Sequence, residues 1–329
     1  MFNNYWKTSC RYLWNHKTAS VINLISLGIG LSVCFFALLY VRFELSYDSF
    51  HEKSDRIYRL VTNVESTTGT SYESSVGAMG PAVQDAFPEV ENMTRIFLDY
   101  LIVQKNQDIF SEEKIAYVDS SFFSVFSFPL LRGDYRSVLN APNTLVLTES
   151  LAFKYFGKEN PVGKTLFING NTNNPAMVTG VMKDMPVNSH FSVNMLVSME
   201  TLGDGWMNNW KRFFFYTYLL LPEEVNTSDL NMQLTEFIQQ HKDQSQGKFE
   251  MILEPLESIY LYAHSRGSRS GSSVSGSIQH IYIISLVTIF VLIISCFNFI
   301  NLTSALSMKR AEEVGIRKSV GASKQQLII

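Results

Sequence analysis

Asp48, His51 and Glu52 put two carboxylates and an imidazole within five positions, residue types that can hold a divalent cation or move a proton. Their spacing matches no recognised metal site. The stretch around them, VRFELSYDSFHEKSDRIYRLV, alternates charged and aromatic residues at roughly helical spacing. It predicts a helix that continues beyond Val41, with these three side chains on its solvated face. Gly163-Lys164-Thr165 has the ending of a phosphate-binding loop. The full loop needs a glycine five residues before Gly163, where Lys158 stands, and Pro161 removes a backbone N–H that would cradle phosphate. His190, His241 and His264 lie far apart without carboxylate or cysteine companions, which predicts satisfied or surface histidines. No G-x-S-x-G nucleophile elbow occurs. The residues therefore predict no enzyme, no metal and no cofactor.

The elements around these residues are more informative. Ile281 to Leu306 is a run of 26 residues without a charge, and Ala19 to Val41 is one of 23. About 20 apolar residues cross a bilayer core as a helix, so both predict membrane spans. Phe35, Phe36 and Tyr40 crowd the end of the first run where a signal peptide would carry small residues, so it reads as a retained span. Gly28 and Gly30 within it would allow close helix packing. Before it, Phe2, Tyr5, Trp6, Cys10 and Leu13 share one helical face opposite Lys7 and Arg11. That pattern predicts an amphipathic helix lying among the lipid headgroups.

Charge sets the orientation. Residues 1–18 and 307–329 hold eight of the 27 Lys/Arg but two of the 30 Asp/Glu, leaving the middle at net −9. Basic flanks mark both ends as cytoplasmic. An acidic middle excludes a nucleic-acid binder, which needs clustered positive charge. Cys10 lies in the basic N-terminus and Cys34 and Cys296 in the two apolar runs, so no disulfide framework supports the domain between those runs.

Between Arg59 and about Ala263, short apolar runs alternate with turn residues. Strands are predicted at Tyr58–Val64, Met93–Phe97, Leu101–Gln104, Ile115–Val118, Thr144–Leu147, Thr165–Ile168, Met177–Met182, Ser192–Val197, Phe213–Leu221 and Phe249–Leu253. Helices are predicted at Met79–Phe87, Ser120–Phe126, Glu149–Phe156 and Ser228–His241. In the last, Leu230, Leu234, Phe237 and Ile238 form one apolar face. The class is α+β. Arg266 to Ser277, with nine Gly or Ser in twelve positions, predicts a flexible return to the second span.

After that span comes a charged run, RAEEVGIRKSVGAS, with Gly315 and Gly321 as breakers and a capping-box pattern, Ser323 to Gln326, that predicts a new helix. KRAEEVGIRKSVGAS, placed after a span reading FNFINLTSA, resembles the FtsX-like permease module of MacB-type ABC transporters. GPAVQDAFPEVENMTRI, FFSVFSFPLLRGD, NTLVLTESLAFKYFGKENPVGKTLFING and VTGVMKDMPVNSHF resemble the family's periplasmic core domain. The resemblance implies a permease subunit of the bacterial inner membrane, with ATPase activity on a separate ABC ATPase subunit. Further partners it implies are a second permease subunit, identical or not, membrane lipids, and a periplasmic adaptor or lipoprotein. The contact with the ATPase would fall on Arg310, Glu312, Glu313, Val314, Gly315, Ile316, Arg317, Lys318, Gly321, Ala322 and Ser323.

The expected architecture is an α+β extracytoplasmic domain flanked by two transmembrane α-helices. Its parts are a cytoplasmic amphipathic helix (1–18), a span (19–41), the core domain (42–265), a Gly/Ser-rich connection (266–280), a second span (281–306) and the coupling segment (307–329). The family carries two further spans, so a chain ending at Ile329 is expected to be a fragment or a truncated product. An FtsX-type division permease regulating cell-wall hydrolases is the alternative, though its extracytoplasmic domain is usually much smaller. A membrane-anchored binding or sensor domain is another.

Overall fold

The computed structural model describes residues 17–66, 69–170, 175–241, 248–262 and 275–321. The predicted N-terminal amphipathic helix, most of the Gly/Ser-rich connection and the helix expected from Ser323 lie outside them. The chain divides into two units, Ser46–Ile278 and the remainder, Met1–Leu45 with Gln279–Ile329.

Helix α1 (Lys17–Glu44) ends at Glu44, so the predicted extension into residues 45–56 does not form. Turns and a short 3-10 segment, Ser54–Arg56, take its place. Asp48 adopts φ +59°, a conformation that aspartate tolerates and that no helix continues through.

The unit Ser46–Ile278 is built on β1 (Ile57–Ser66), β2 (Gly69–Glu73), β3 (Ser75–Val76), α2 (Met79–Ala86), β4 (Asn92–Lys105), β5 (Asp108–Val118), α3 (Phe122–Val125), β6 (Leu130–Arg132), β7 (Thr144–Thr148), α4 (Glu149–Phe156), β8 (Thr165–Ile168), β9 (Ala176–Met182), β10 (Met195–Ser198), α5 (Asp204–Met207), β11 (Phe213–Leu220), α6 (Thr227–His241), β12 (Lys248–Pro255) and α7 (Leu256–Tyr262). The strands form one mixed sheet in the order β12-β1-β11-β4-β5-β10-β7-β9-β6. Pairing is parallel at β5/β10 and β7/β9 and antiparallel elsewhere. The two strands predicted at 93–97 and 101–104 are one strand, β4, interrupted by an irregularity between Asp99 and Leu101. The extra residue lies on β5, where Glu112 to Ile115 takes three steps against two on β4, and it is the polar Asp99-Tyr100 pair that reads in sequence as a break.

Three apolar clusters bury the sheet. Phe122, Phe126, Phe128 and Phe191 pack on Ile96, Ala116, Leu196 and Tyr218. Leu151, Tyr155 and Phe156 of α4 cover Leu101, Ile115, Leu145 and Val178. Leu230, Leu234 and Ile238 of α6 join Leu60, Leu219, Phe249 and Met251. A second stripe on α6 closes the sheet's outer edge. Leu253 N donates to Asn231 Oδ1 at 2.8 Å, Met251 N to Thr235 Oγ1 at 2.9 Å, and Gln239 Nε2 to the Phe249 carbonyl at 2.6 Å. Residues four apart on the helix thus meet residues two apart on the strand, and backbone groups of an edge strand find partners.

Helix α8 (Ile278–Ser319) is continuous for 42 residues, about 63 Å. Val21–Glu44 and Ile278–Asn301 are each long and apolar enough to cross a membrane. Their large apolar side chains are exposed, as at Leu24 (74%) and Ile294 (66%), which suits lipid and not a water-soluble core. The two helices meet where Gly30 of α1 lies against Ser295 of α8, and Cys34 Sγ is 3.9 Å from the Thr288 carbonyl. Gly28 has no neighbour at its Cβ position, so of the two glycines only Gly30 makes the close approach.

Candidate functional site

The charged segment after the second apolar run is a direct extension of α8. Arg310, Glu312, Glu313, Val314, Gly315, Ile316, Arg317 and Lys318 all fall within the helix. Gly315 was expected to break it and does not. A glycine inside an exposed helix costs about 1 kcal/mol against alanine, which the helix formers around it offset. Gly321 does stop the helix. It adopts φ +94°, and its N–H donates to the Lys318 carbonyl at 3.1 Å. Ile316 and Val320, one turn apart, are exposed at 61% and 83%. The side chains of Arg310, Glu313 and Arg317, and all of Ala322 and Ser323, lie outside the described residues.

A second group of polar side chains gathers in the segment that follows α1. Asp48 and His51 are buried, contrary to the solvated face expected of them, while Glu52 is exposed. His190 does have a carboxylate companion. Its Nδ1 lies 2.9 Å from Asp48 Oδ1, at ion-pair distance but off the line a hydrogen bond needs. The same oxygen accepts from His190 N at 3.1 Å, and His190 Nε2 is 2.7 Å from the Tyr218 hydroxyl. Asn188 completes the tie: its carbonyl accepts from Asp48 N at 2.9 Å and its Nδ2 donates to the Ser46 carbonyl at 2.8 Å. The partners are 142 residues apart in sequence, so no local pattern reveals them.

Asp48, His190 and Tyr218 have the order of an acid–base relay. All three are buried, and burial pushes the Tyr218 phenol well up from its ordinary range. A phenol so placed holds its proton, and the group ties the post-helix segment into the domain. Among the described residues no three His, Cys, Asp or Glu side chains have the arrangement of a metal site.

His51 Nδ1 accepts from Ser127 N at 3.1 Å, so the neutral ring carries its proton on Nε2. Burial lowers its pKa from 6.5 to about 4, more strongly than Asp48 raises it, with His190 lowering it further. Between those values the unfolded chain takes up a proton that the native ring refuses, so stability falls as pH drops from 6.5 toward 4. The loss across that window is expected to be about 3 kcal/mol. Thermal melts in a pH series should show it, and His51→Gln, which keeps an acceptor for Ser127, should flatten the profile.

The MacB-like periplasmic core domain family matches residues 20–237. No curated protein matches the chain in sequence. Among solved structures, a domain of a permease protein from Porphyromonas gingivalis is 24% identical with a TM-score of 0.54, over 62% of this chain and 91% of that one. This likeness is one of fold. The periplasmic region of MacB from Actinobacillus actinomycetemcomitans is 17% identical (TM-score 0.45, 61% and 89% covered). The extracellular domain of the noncanonic ABC-type transporter YknZ from Gram-positive bacteria is 12% identical (TM-score 0.44, 60% and 98% covered). With a family match over most of its length and two helices fit to cross a membrane, the chain belongs to the ABC-transporter permeases that carry a MacB-like periplasmic core domain.

Proposed function

We propose that the chain is a multi-pass permease subunit of a MacB-type transporter in a bacterial inner membrane. It couples ATP hydrolysis by a separate ABC ATPase subunit to conformational change in its periplasmic domain, and so to export or extraction of a substrate. A second permease subunit pairs with it, and a periplasmic adaptor or lipoprotein is a further partner. The observation that carries this reading is the unbroken helix α8. One rigid element runs from the apolar stretch into the segment Arg310–Lys318, so a push on that segment travels along the helix axis without a hinge. Exposed Ile316 and Val320 supply apolar anchors, and Lys318 a charge-assisted contact, for the ATPase. The contact continues through Gly321, Ala322 and Ser323.

Charge exchange tests this. The E313K/R317E variant, reconstituted with the ATPase in nanodiscs, is expected to lose at least about tenfold of the permease-dependent change in ATP hydrolysis while reaching normal membrane levels. Unchanged coupling would count against the assignment. A pull-down adds the partner itself: the wild type recovers an ABC ATPase, and a chain lacking Glu312–Ser323 does not.

A further inference from the structure

Tyr260 of α7 sits between the two pieces of chain that lead to the apolar helices. Tyr47, three residues past the end of α1, lays its ring on Tyr260 with 3.4 Å between centroids and 3° between planes. Gly276, two residues before α8 begins, donates its N–H to the Tyr260 carbonyl at 2.9 Å. Its Cα lies so close to the same ring that any Cβ there would collide with it. One side chain therefore packs on the entering segment and on the leaving one. Both tyrosines are buried, at 6% exposure.

The anchor is itself fastened. Helix α7 follows β12 directly, Leu256 and Ile259 lie in the main apolar cluster, and Ser54 Oγ donates to Glu257 at 2.8 Å. On the other side of the entering segment, Asn188 and His190 grip Ser46 and Asp48.

We infer that Tyr260 is a positioning residue that joins the two connections into one mechanical unit. Freeing either segment removes part of what fixes the Tyr260 ring, so the other loosens with it, and contacts that share a partner are coupled in energy. Resting on the permease reading above, the consequence is that displacement along α1 or α8 reaches the domain as a single movement. The two helices do not drive it separately.

Hydrogen exchange on the full chain in nanodiscs tests the link. Gly276→Ala, which forces Tyr260 aside, is expected to speed exchange about tenfold in both residues 46–50 and residues 275–278. Tyr47→Leu, which adds no clash, should give the same paired response from the opposite side. If Gly276→Ala speeds only 275–278, or Tyr47→Leu only 46–50, the two segments are independent and the inference is overturned. Exchange is read without any ATPase, so a wild type that recruits no ATPase counts against the permease reading and leaves this result standing.

Discussion

Arg59→Ala is expected to destabilise the extracytoplasmic domain by about 3–5 kcal/mol. Arg59 and Glu254 are directly opposite on β1 and β12, with side chains 4% and 2% exposed. Arg59 donates from Nε at 3.0 Å and from Nη2 at 2.6 Å to the same carboxylate oxygen. Alanine at 59 takes the guanidinium away from the buried Glu254 carboxylate, and the desolvation of that charge loses this compensation. The carboxylate raises the Arg59 pKa despite burial, so the cation is present at every accessible pH. Thermal or urea unfolding of the full chain in detergent measures the loss. The double variant R59M/E254L, which removes both charges and keeps apolar volume, should recover most of it. If the double variant is as unstable as the single one, packing of the guanidinium on Tyr216 and Tyr218, and not its charge, is what the domain needs.

The second large effect lies in the helical unit. A methyl group on Gly30 would overlap the Ser295 side chain, at 2.7 Å from its Cβ, and Ser295 is buried. In lipid no hydrophobic force holds two helices together, and close backbone approach supplies the packing. Gly30→Ala should therefore push α1 and α8 apart at a cost of about 1–3 kcal/mol, and Gly30→Leu more. S295G in the G30A background opens the space and should restore the pair. Cys34 offers a readout, since its Sγ faces the Thr288 carbonyl. Oxidative cross-linking of Cys34 to T288C should drop in G30A and return in G30A/S295G. Equal yield in all three would mean that the helices do not depend on this contact.

Much of this architecture is legible in the residues themselves, for reasons that differ by element. The apolar helices declare themselves because a bilayer demands a long uncharged run. Helix α6 does so because Leu230, Leu234 and Ile238 recur at the helical period, and all three are buried. The strands are marked by β-branched and aromatic runs, and Thr165–Ile168 and Phe213–Leu220 fall where those runs predict. What fails is what depends on distant partners. Asp48 and His51 look solvated beside charged and aromatic neighbours, yet Ser127 and residues 188–190 bury them from 76 to 142 residues away. The tie to His190 has no local signature for the same reason. In the segment Arg310–Lys318 the charged and apolar residue types are read directly from the sequence, and α8 carries them on from the apolar run. The glycine at 315 misleads, because a single exposed glycine weakens a helix without ending it.

The order of α6 and β12 along the chain has a consequence for biogenesis. A domain that crosses the membrane from its N-terminal side emerges with Asn231, Thr235 and Gln239 already outside before Phe249, Met251 and Leu253 arrive. The cover precedes the strand it protects. When β12 docks on β1 as the last strand of the sheet, the helix that occupies its open side is waiting, and the new edge is not offered to a neighbouring chain.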